Sequence, residues 1–172
     1  MSSIFLDIPV EEIPFTLFRN ETQIIRNTLV TTIPVLPKQY VVSFDFKPTK
    51  WIGGWTSILH MTTGGNAGWG ERIPGFFPLS QKIAIANGID GNGNWYFWTP
   101  KLTLNKWVHF RLTQTFERHE YVYRVYMNKQ LLKTKVNKKP QDFKQVDVWL
   151  GDNWYNAQPG FVKNLHVAGK RV

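Results

Sequence analysis

Along most of the chain, apolar and polar residues alternate with a period of two instead of recurring every three or four positions. Strands with one buried face produce that pattern. Residues 40–46 set Val42, Phe44 and Phe46 against Val41, Ser43 and Asp45. Residues 107–116 set Val108, Phe110, Leu112 and Phe116 against His109, Arg111, Thr113 and Thr115. Residues 120–127 are apolar or aromatic on both sides, as expected of a more central strand or one whose outer face is covered. Further strands are predicted at 15–18, 23–26, 57–62, 75–78, 82–86, 95–98, 130–136, 146–150 and 161–167.

The segments between them carry turn chemistry. Gly53-Gly54, Gly64-Gly65-Asn66 and Asn128-Lys129 tolerate positive φ, and Pro48, Pro100 and Pro140 stop strands. Met127-Asn128-Lys129-Gln130 reads as a two-residue hairpin turn, and residues 88–93 read as a longer one. Many short strands at regular spacing predict an all-β sandwich or barrel. No linker or internal repeat divides the 172 residues, so one domain is expected over 1–172. Residues 1–39, with Pro9, Pro14, Pro34 and Pro37, read as edge strands and connections.

Composition narrows the chemistry. The chain has no cysteine, which excludes a disulfide framework, a thiol nucleophile and a thiolate metal site. The net charge of +9 invites a polyanion reading, but residues 1–100 balance seven basic against seven acidic side chains, whereas residues 101–172 hold fourteen against five. With 15% aromatic residues and eight Trp, this is a folded domain and not a disordered basic tail. No stretch approaches the ~20 apolar residues of a membrane-spanning helix.

Four segments carry a family likeness. Residues 104–114 open on Asn105-Lys106-Trp107, and residues 123–130 end in the Asn128 turn. With Val148-Trp149-Leu150-Gly151-Asp152 and Gly160 leading into 161–167, they resemble concanavalin A-like jelly-roll domains of the laminin-G-like type. The likeness spans about residues 40–168, the expected jelly-roll core. It implies a sandwich of two antiparallel sheets, and a recognition or adhesion role in an extracellular or cell-surface protein. Trp107 is expected to plug one end of the sandwich, Asn105 to cap backbone donors through its side chain, and Gly160 to allow a conformation that a side chain would obstruct.

Among reaction classes, glycoside hydrolysis needs two facing carboxylates. The one closely spaced acid pair, Glu11-Glu12, sits in a proline-flanked segment and alternates across a strand. The four His residues show no metal-ligand spacing, and no nucleophile elbow or phosphate-binding glycine loop occurs. A hydrolase with an unusual acid pair stays open as a third reading. Carbohydrate recognition pairs an aromatic platform with a few convergent polar groups. Three loops have that composition, with Trp69, Glu71 and Arg72 in the first, Asn94 and Trp98 in the second, and Asp152, Asn153, Trp154, Tyr155 and Asn156 in the third. A glycan or glycoprotein is thus the expected partner. The rival reading is a structural protein-interaction domain without a sugar site, in which these rings are packing.

Two ion sites complete the expectations. Lys133, Lys135, Lys138 and Lys139 could meet a sulfated polyanion, or serve as charges that deter edge-to-edge pairing. Nucleic acid is disfavoured, because no recognition helix or RNA-binding motif accompanies them. Asp90, Asn92 and Asn94 have the i, i+2, i+4 spacing of a calcium loop without its terminal bidentate acid, so ordinary turn chemistry is the favoured reading and no cofactor is expected.

Overall fold

The computed structural model describes residues 12–170, with side chains from Leu17 onward. Glu11 of the acid pair lies outside the described residues. Fifteen strands run β1 (Glu12–Phe18), β2 (Thr22–Gln23), β3 (Leu29–Leu36), β4 (Gln39–Pro48), β5 (Thr56–Ser57), β6 (Leu59–Thr62), β7 (Gly75–Leu79), β8 (Lys82–Ile89), β9 (Asn92–Trp98), β10 (Val108–Glu117), β11 (Glu120–Met127), β12 (Gln130–Asn137), β13 (Phe143–Leu150), β14 (Asn156–Ala157) and β15 (Gly160–Lys170). They form two large antiparallel sheets. The back sheet is ordered β1-β15-β4-β10-β11-β12, with β2 also on β15, and the front sheet β3-β13-β6-β7-β8-β9. A short parallel pair, β14-β5, sits apart from both.

Alternation explains the packing. Val42, Phe44 and Phe46 of β4, Phe110 and Leu112 of β10, and Tyr123 and Val125 of β11 meet Leu59 and Met61 of β6, Phe76 of β7, Ile83 and Ile85 of β8, and Val146 and Val148 of β13. At the centre Phe44 meets Phe76 edge-on at 4.8 Å, and Phe110 completes the cluster at 5.6 and 5.4 Å. Each such ring stabilises the fold by roughly 1.5–3 kcal/mol through burial. The proline-bearing N-terminal segments take positions where a missing N–H is tolerated, since β1 and β3 each pair on one side only.

The structure departs from the sequence reading at several points. Phe116 shares the inward face of β10, but at the strand end it is 47% exposed and packs on Tyr121 at 4.9 Å. Gln114 is buried on that face instead, donating to the Lys38 carbonyl at 2.8 Å and accepting from Asn137 at 3.0 Å. Residues 88–93 are not a long turn. β8 and β9 run on to a two-residue turn at Asp90-Gly91, both at positive φ, as at Asn128-Lys129. Trp107 does not plug the sandwich. It is half-buried beneath the ammonium groups of Lys163 and Lys47, at 4.1 and 4.8 Å from the ring centre. Asn105 adopts φ +59 and contributes its backbone N–H to the Pro48 carbonyl at 2.7 Å. At Gly160 a Cβ would lie 2.4 Å from the Lys47 carbonyl oxygen, so its lack of a side chain is what lets β15 start beside β4.

Candidate functional site

The outward face of the front sheet is built from an unusual succession of residues. Registered neighbours place Gly75 and Phe77 of β7, Ala84 and Ala86 of β8, and Tyr96 and Trp98 of β9 on this one face. Their partners in sequence, Phe76, Ile83, Ile85, Trp95 and Phe97, face or pack on the core. Small residues on the middle strand between large rings leave a hollow. It holds about 250 Å³ and is lined by Trp55, Arg72, Phe77, Ala84, Ala86, Asn94, Tyr96 and Tyr155. Tyr96 is 49% and Trp55 40% exposed, so flat aromatic surface is open to a ligand. Trp55 is held by stacking on Trp98, with ring centres 5.5 Å apart and planes inclined 23°.

Loops deliver the polar side. The segment following β6 brings Arg72 over the ring of Phe77, its guanidinium carbon 4.5 Å from the ring centre. Nε donates to the Asn66 carbonyl at 2.7 Å, Nη1 to Asn94 Oδ1 at 2.6 Å, and Nη2 to Tyr155 Oη at 3.1 Å and Asn66 Oδ1 at 3.3 Å. Asn66 Nδ2 also donates to Tyr155 Oη at 3.3 Å. Three separate chain segments are thereby tied together at one corner. The approach depends on Gly93, where a Cβ would lie 2.3 Å from the Gly68 carbonyl oxygen.

Beneath the loops lies a buried histidine–aspartate pair. His60 and Asp152 are both 0% exposed, with Nδ1 and Oδ2 2.8 Å apart. His60 Nε2 donates to the Glu71 carbonyl at 2.6 Å, next to Arg72 in the chain. Asp152 Oδ1 accepts from the backbone N–H groups of Trp154 and Tyr155 at 3.0 and 2.9 Å. Burial works against the Asp152 charge, yet the hydrogen bond from His60, the Tyr155 N–H and the His60 charge hold its carboxyl below the usual aspartate range. A carbonyl only accepts, so Nε2 carries a hydrogen, and Nδ1 is the nitrogen that meets Asp152. One pair thus fixes both loops that reach the pocket.

Of the residues singled out in the sequence, Arg72, Asn94 and Tyr155 line the pocket, and Trp98 supports its Trp55 wall. The others lie elsewhere. Trp69 packs on Phe143 at 5.8 Å and donates to Gln141 at 3.0 Å. The Glu71 carboxylate closes its own loop on the N–H groups of Ala67 and Gly68. Trp154 covers His60 at 5.2 Å, the Asn153 carbonyl accepts from Arg26 at 2.9 Å, and Asn156 pairs with Thr56 in the small parallel ladder. Sequence reasoning did not choose Trp55, Phe77 or Tyr96. The available signal was Gly75-x-Phe77 opposite Ala84-x-Ala86, since small residues alternating inside apolar strands mark a depression.

The lysines and turn oxygens singled out as ion sites also make contacts within the protein. Lys133 and Lys135 share a face, but β12 turns it toward the edge of the front sheet, where Lys133 stands 5.9 Å from the Trp95 ring centre and Lys135 3.7 Å from Asp90. Lys138 donates its N–H to Asp90, and Lys139 lies against Gly91, so all four lysines surround the β8-β9 side of the sandwich. The proposed calcium oxygens each meet a protein donor. Asp90 takes Lys138 and Lys135, Asn92 takes the Asn94 N–H at 2.9 Å, and Asn94 takes Arg72.

No protein-family profile matches the chain, and no curated protein does. Solved structures do. The botulinum neurotoxin serotype G binding domain matches with a TM-score of 0.56 at 11% identity, covering 96% of this chain and 45% of that one, so this chain spans less than half of it. A heptameric SAP-like pentraxin from Limulus polyphemus matches at 0.57 and 16% identity, over 87% of this chain and 76% of that one. The CBM40 of the Ruminococcus gnavus IT-sialidase, bound to α2,3-sialyllactose, matches at 0.56 and 14%, over 89% and 92%. Such identities speak to fold alone, and on fold the sequence, the two sheets and the neighbours agree: the chain is an all-β jelly-roll sandwich of two antiparallel sheets.

Proposed function

We propose that this protein is a non-catalytic carbohydrate-binding module that seats a sugar in the hollow over Ala84 and Ala86. One observation carries the reading. Exposed faces of Tyr96 and Trp55 stand beside a fixed polar corner of Arg72, Asn94 and Tyr155. An apolar platform beside a few oriented polar groups suits a pyranose, whose CH face is apolar and whose rim is hydroxylated. Among the described residues the lining supplies no carboxylate to act as acid or base, which favours binding over hydrolysis. Glycan recognition lies within the range of this fold, as the CBM40 neighbour with its sialyllactose illustrates. The reading places the module on glycoproteins or polysaccharides outside the cell, where adhesion is its natural use.

A glycan array probed with the wild type and with Tyr96→Ala tests it. The expected result is defined glycan binding that falls at least tenfold in the variant while the thermal midpoint stays put. Binding retained in Tyr96→Ala but lost in Trp69→Ala would move the site to the Trp69 loop. Absence of any glycan signal would favour the protein-interaction alternative.

A further inference from the structure

We infer that the sugar bound in this hollow carries an anionic group, carboxylate or sulfate, seated at the Arg72 corner; the inference rests on the carbohydrate reading above. The argument is an account of hydrogens and charge. A guanidinium has five N–H donors in a fixed plane. Four are spent on Asn66, Asn94 and Tyr155, leaving one on Nη1. Because arginine can only donate, the Asn94 amide must turn its oxygen to Arg72, which leaves its Nδ2 hydrogens to give. Tyr155 Oη accepts from both Arg72 and Asn66, so its two lone pairs are occupied and its own hydrogen is outstanding. Among the three side chains of the corner that line the hollow, Arg72, Asn94 and Tyr155, each keeps a donor while Asn94 Oδ1 alone keeps a lone pair; the spare lone pairs of Asn66 belong to a residue outside the lining.

Charge points the same way. Among the described residues Arg72 has no carboxylate partner, and Glu71, its neighbour in the chain, is turned to the N–H groups of Ala67 and Gly68. The Arg72 side chain is part-buried over an aromatic ring, where its charge is less screened than at an open surface. A neutral sugar hydroxyl can accept from such a corner, but it leaves the cation unmatched. An anionic oxygen takes the outstanding hydrogens in charge-assisted bonds, roughly twice as strong as neutral ones, and balances the charge.

The experiment compares neutral glycans with their sialylated, uronic-acid and sulfated counterparts on one array, using wild type, Arg72→Gln and Arg72→Lys at low and high salt. The expected result is at least tenfold stronger binding of acidic members, lost in Arg72→Gln and partly restored in Arg72→Lys; the sialyl and uronic arms against the sulfated arm identify the anion. Equal binding of neutral counterparts that still depends on Tyr96 would overturn the inference and leave the carbohydrate reading standing. Acid preference that survives Arg72→Gln and vanishes in Lys133→Ala, Lys135→Ala would seat the anion at the β12 edge and also overturn it. Should no glycan of either kind bind, both readings fall together. Thermal midpoints of the Arg72 variants separate lost contacts from a displaced loop, and the wild-type neutral-against-acidic comparison needs no variant at all.

Discussion

A histidine–aspartate pair lies on the outer side of each sheet, and the two pairs behave differently because loops cover the first and, among the described residues, none covers the second. On the front sheet His60 and Asp152 sit 2.8 Å apart and are sealed beneath loops. On the back sheet His109 and Asp45 sit 2.7 Å apart with 43% and 19% of their side chains exposed. The bond geometry is nearly the same. Burial makes the first pair a structural tie, since its oxygens and nitrogens also hold Trp154, Tyr155 and Glu71 in place. Water competes for the second, whose Asp45 shares its other oxygen with Asn164 at 2.8 Å. Among the described residues, it is the covered face that has the loops making a pocket with an aromatic wall and a fixed polar corner.

Removing Asp152 is the severest way to break this contrast. Asp152→Ala leaves the buried His60 ring and two loop N–H groups without their partner, and is expected to cost about 3–5 kcal/mol in denaturant unfolding. Glycan binding should disappear with it, because Tyr155 and Arg72 lose their anchor. The pH dependence follows the same group. Its folded-state pKa is depressed, so its contribution is fully present above the unfolded aspartate value of about 3.9 and is lost as pH falls through the lower folded one. Thermal midpoints measured down the acid limb should converge between wild type and Asp152→Ala; a constant gap would show that the pair is not the source.

A smaller perturbation of the covered face comes through its backbone. In Gly93→Ala the new methyl meets the Gly68 carbonyl at 2.3 Å, and backbone cannot rotate out of the way. A loss of about 1–3 kcal/mol is expected, as for other overpacked sites, with weakened glycan binding because the loop carrying Arg72 moves. Unchanged stability together with unchanged binding would mean that the loop is free to retreat.

These two faces also explain what the sequence could and could not disclose. Alternation along β4 and β10 exposes their inward side directly, because the other side is wet and polar. On β8 the Ile83-Ala84-Ile85-Ala86 run is buried on both sides; its alternating alanines mark a depression, but the run does not by itself say that loops close that depression into a pocket while Ile83 and Ile85 fill the core. Covering by loops is a long-range event. Arg72, Asn94 and Tyr155 were legible as polar residues beside aromatics, but Trp69 and Trp154 have the same local composition and point into packing. His60 carried no motif, since its partner is 92 residues away.

On the bare face the effects should be slight. Asp45→Asn keeps the shape of the side chain and removes a charge that solvent already screens, so about 0–1 kcal/mol is expected, several times less than at Asp152.

Arg111→Ala should change least. Arg111 stands on the outward side of β10 beside Tyr126, exposed and without a carboxylate partner among the described residues. Its removal leaves no buried group unpaired and opens no cavity, so stability should stay within about 0.5 kcal/mol of wild type. It lines a groove of about 500 Å³ with His109, Thr113, Thr115, Arg124, Tyr126 and Lys129, larger than the front-sheet pocket but floored by a solvated sheet that no loop among the described residues covers. Volume alone would make it the better binding site; fixed donors against exposed aromatic faces make it the worse one. Titration of Arg111→Ala with a glycan that binds the wild type should return the wild-type affinity, and a tenfold loss would reverse the assignment of the two faces.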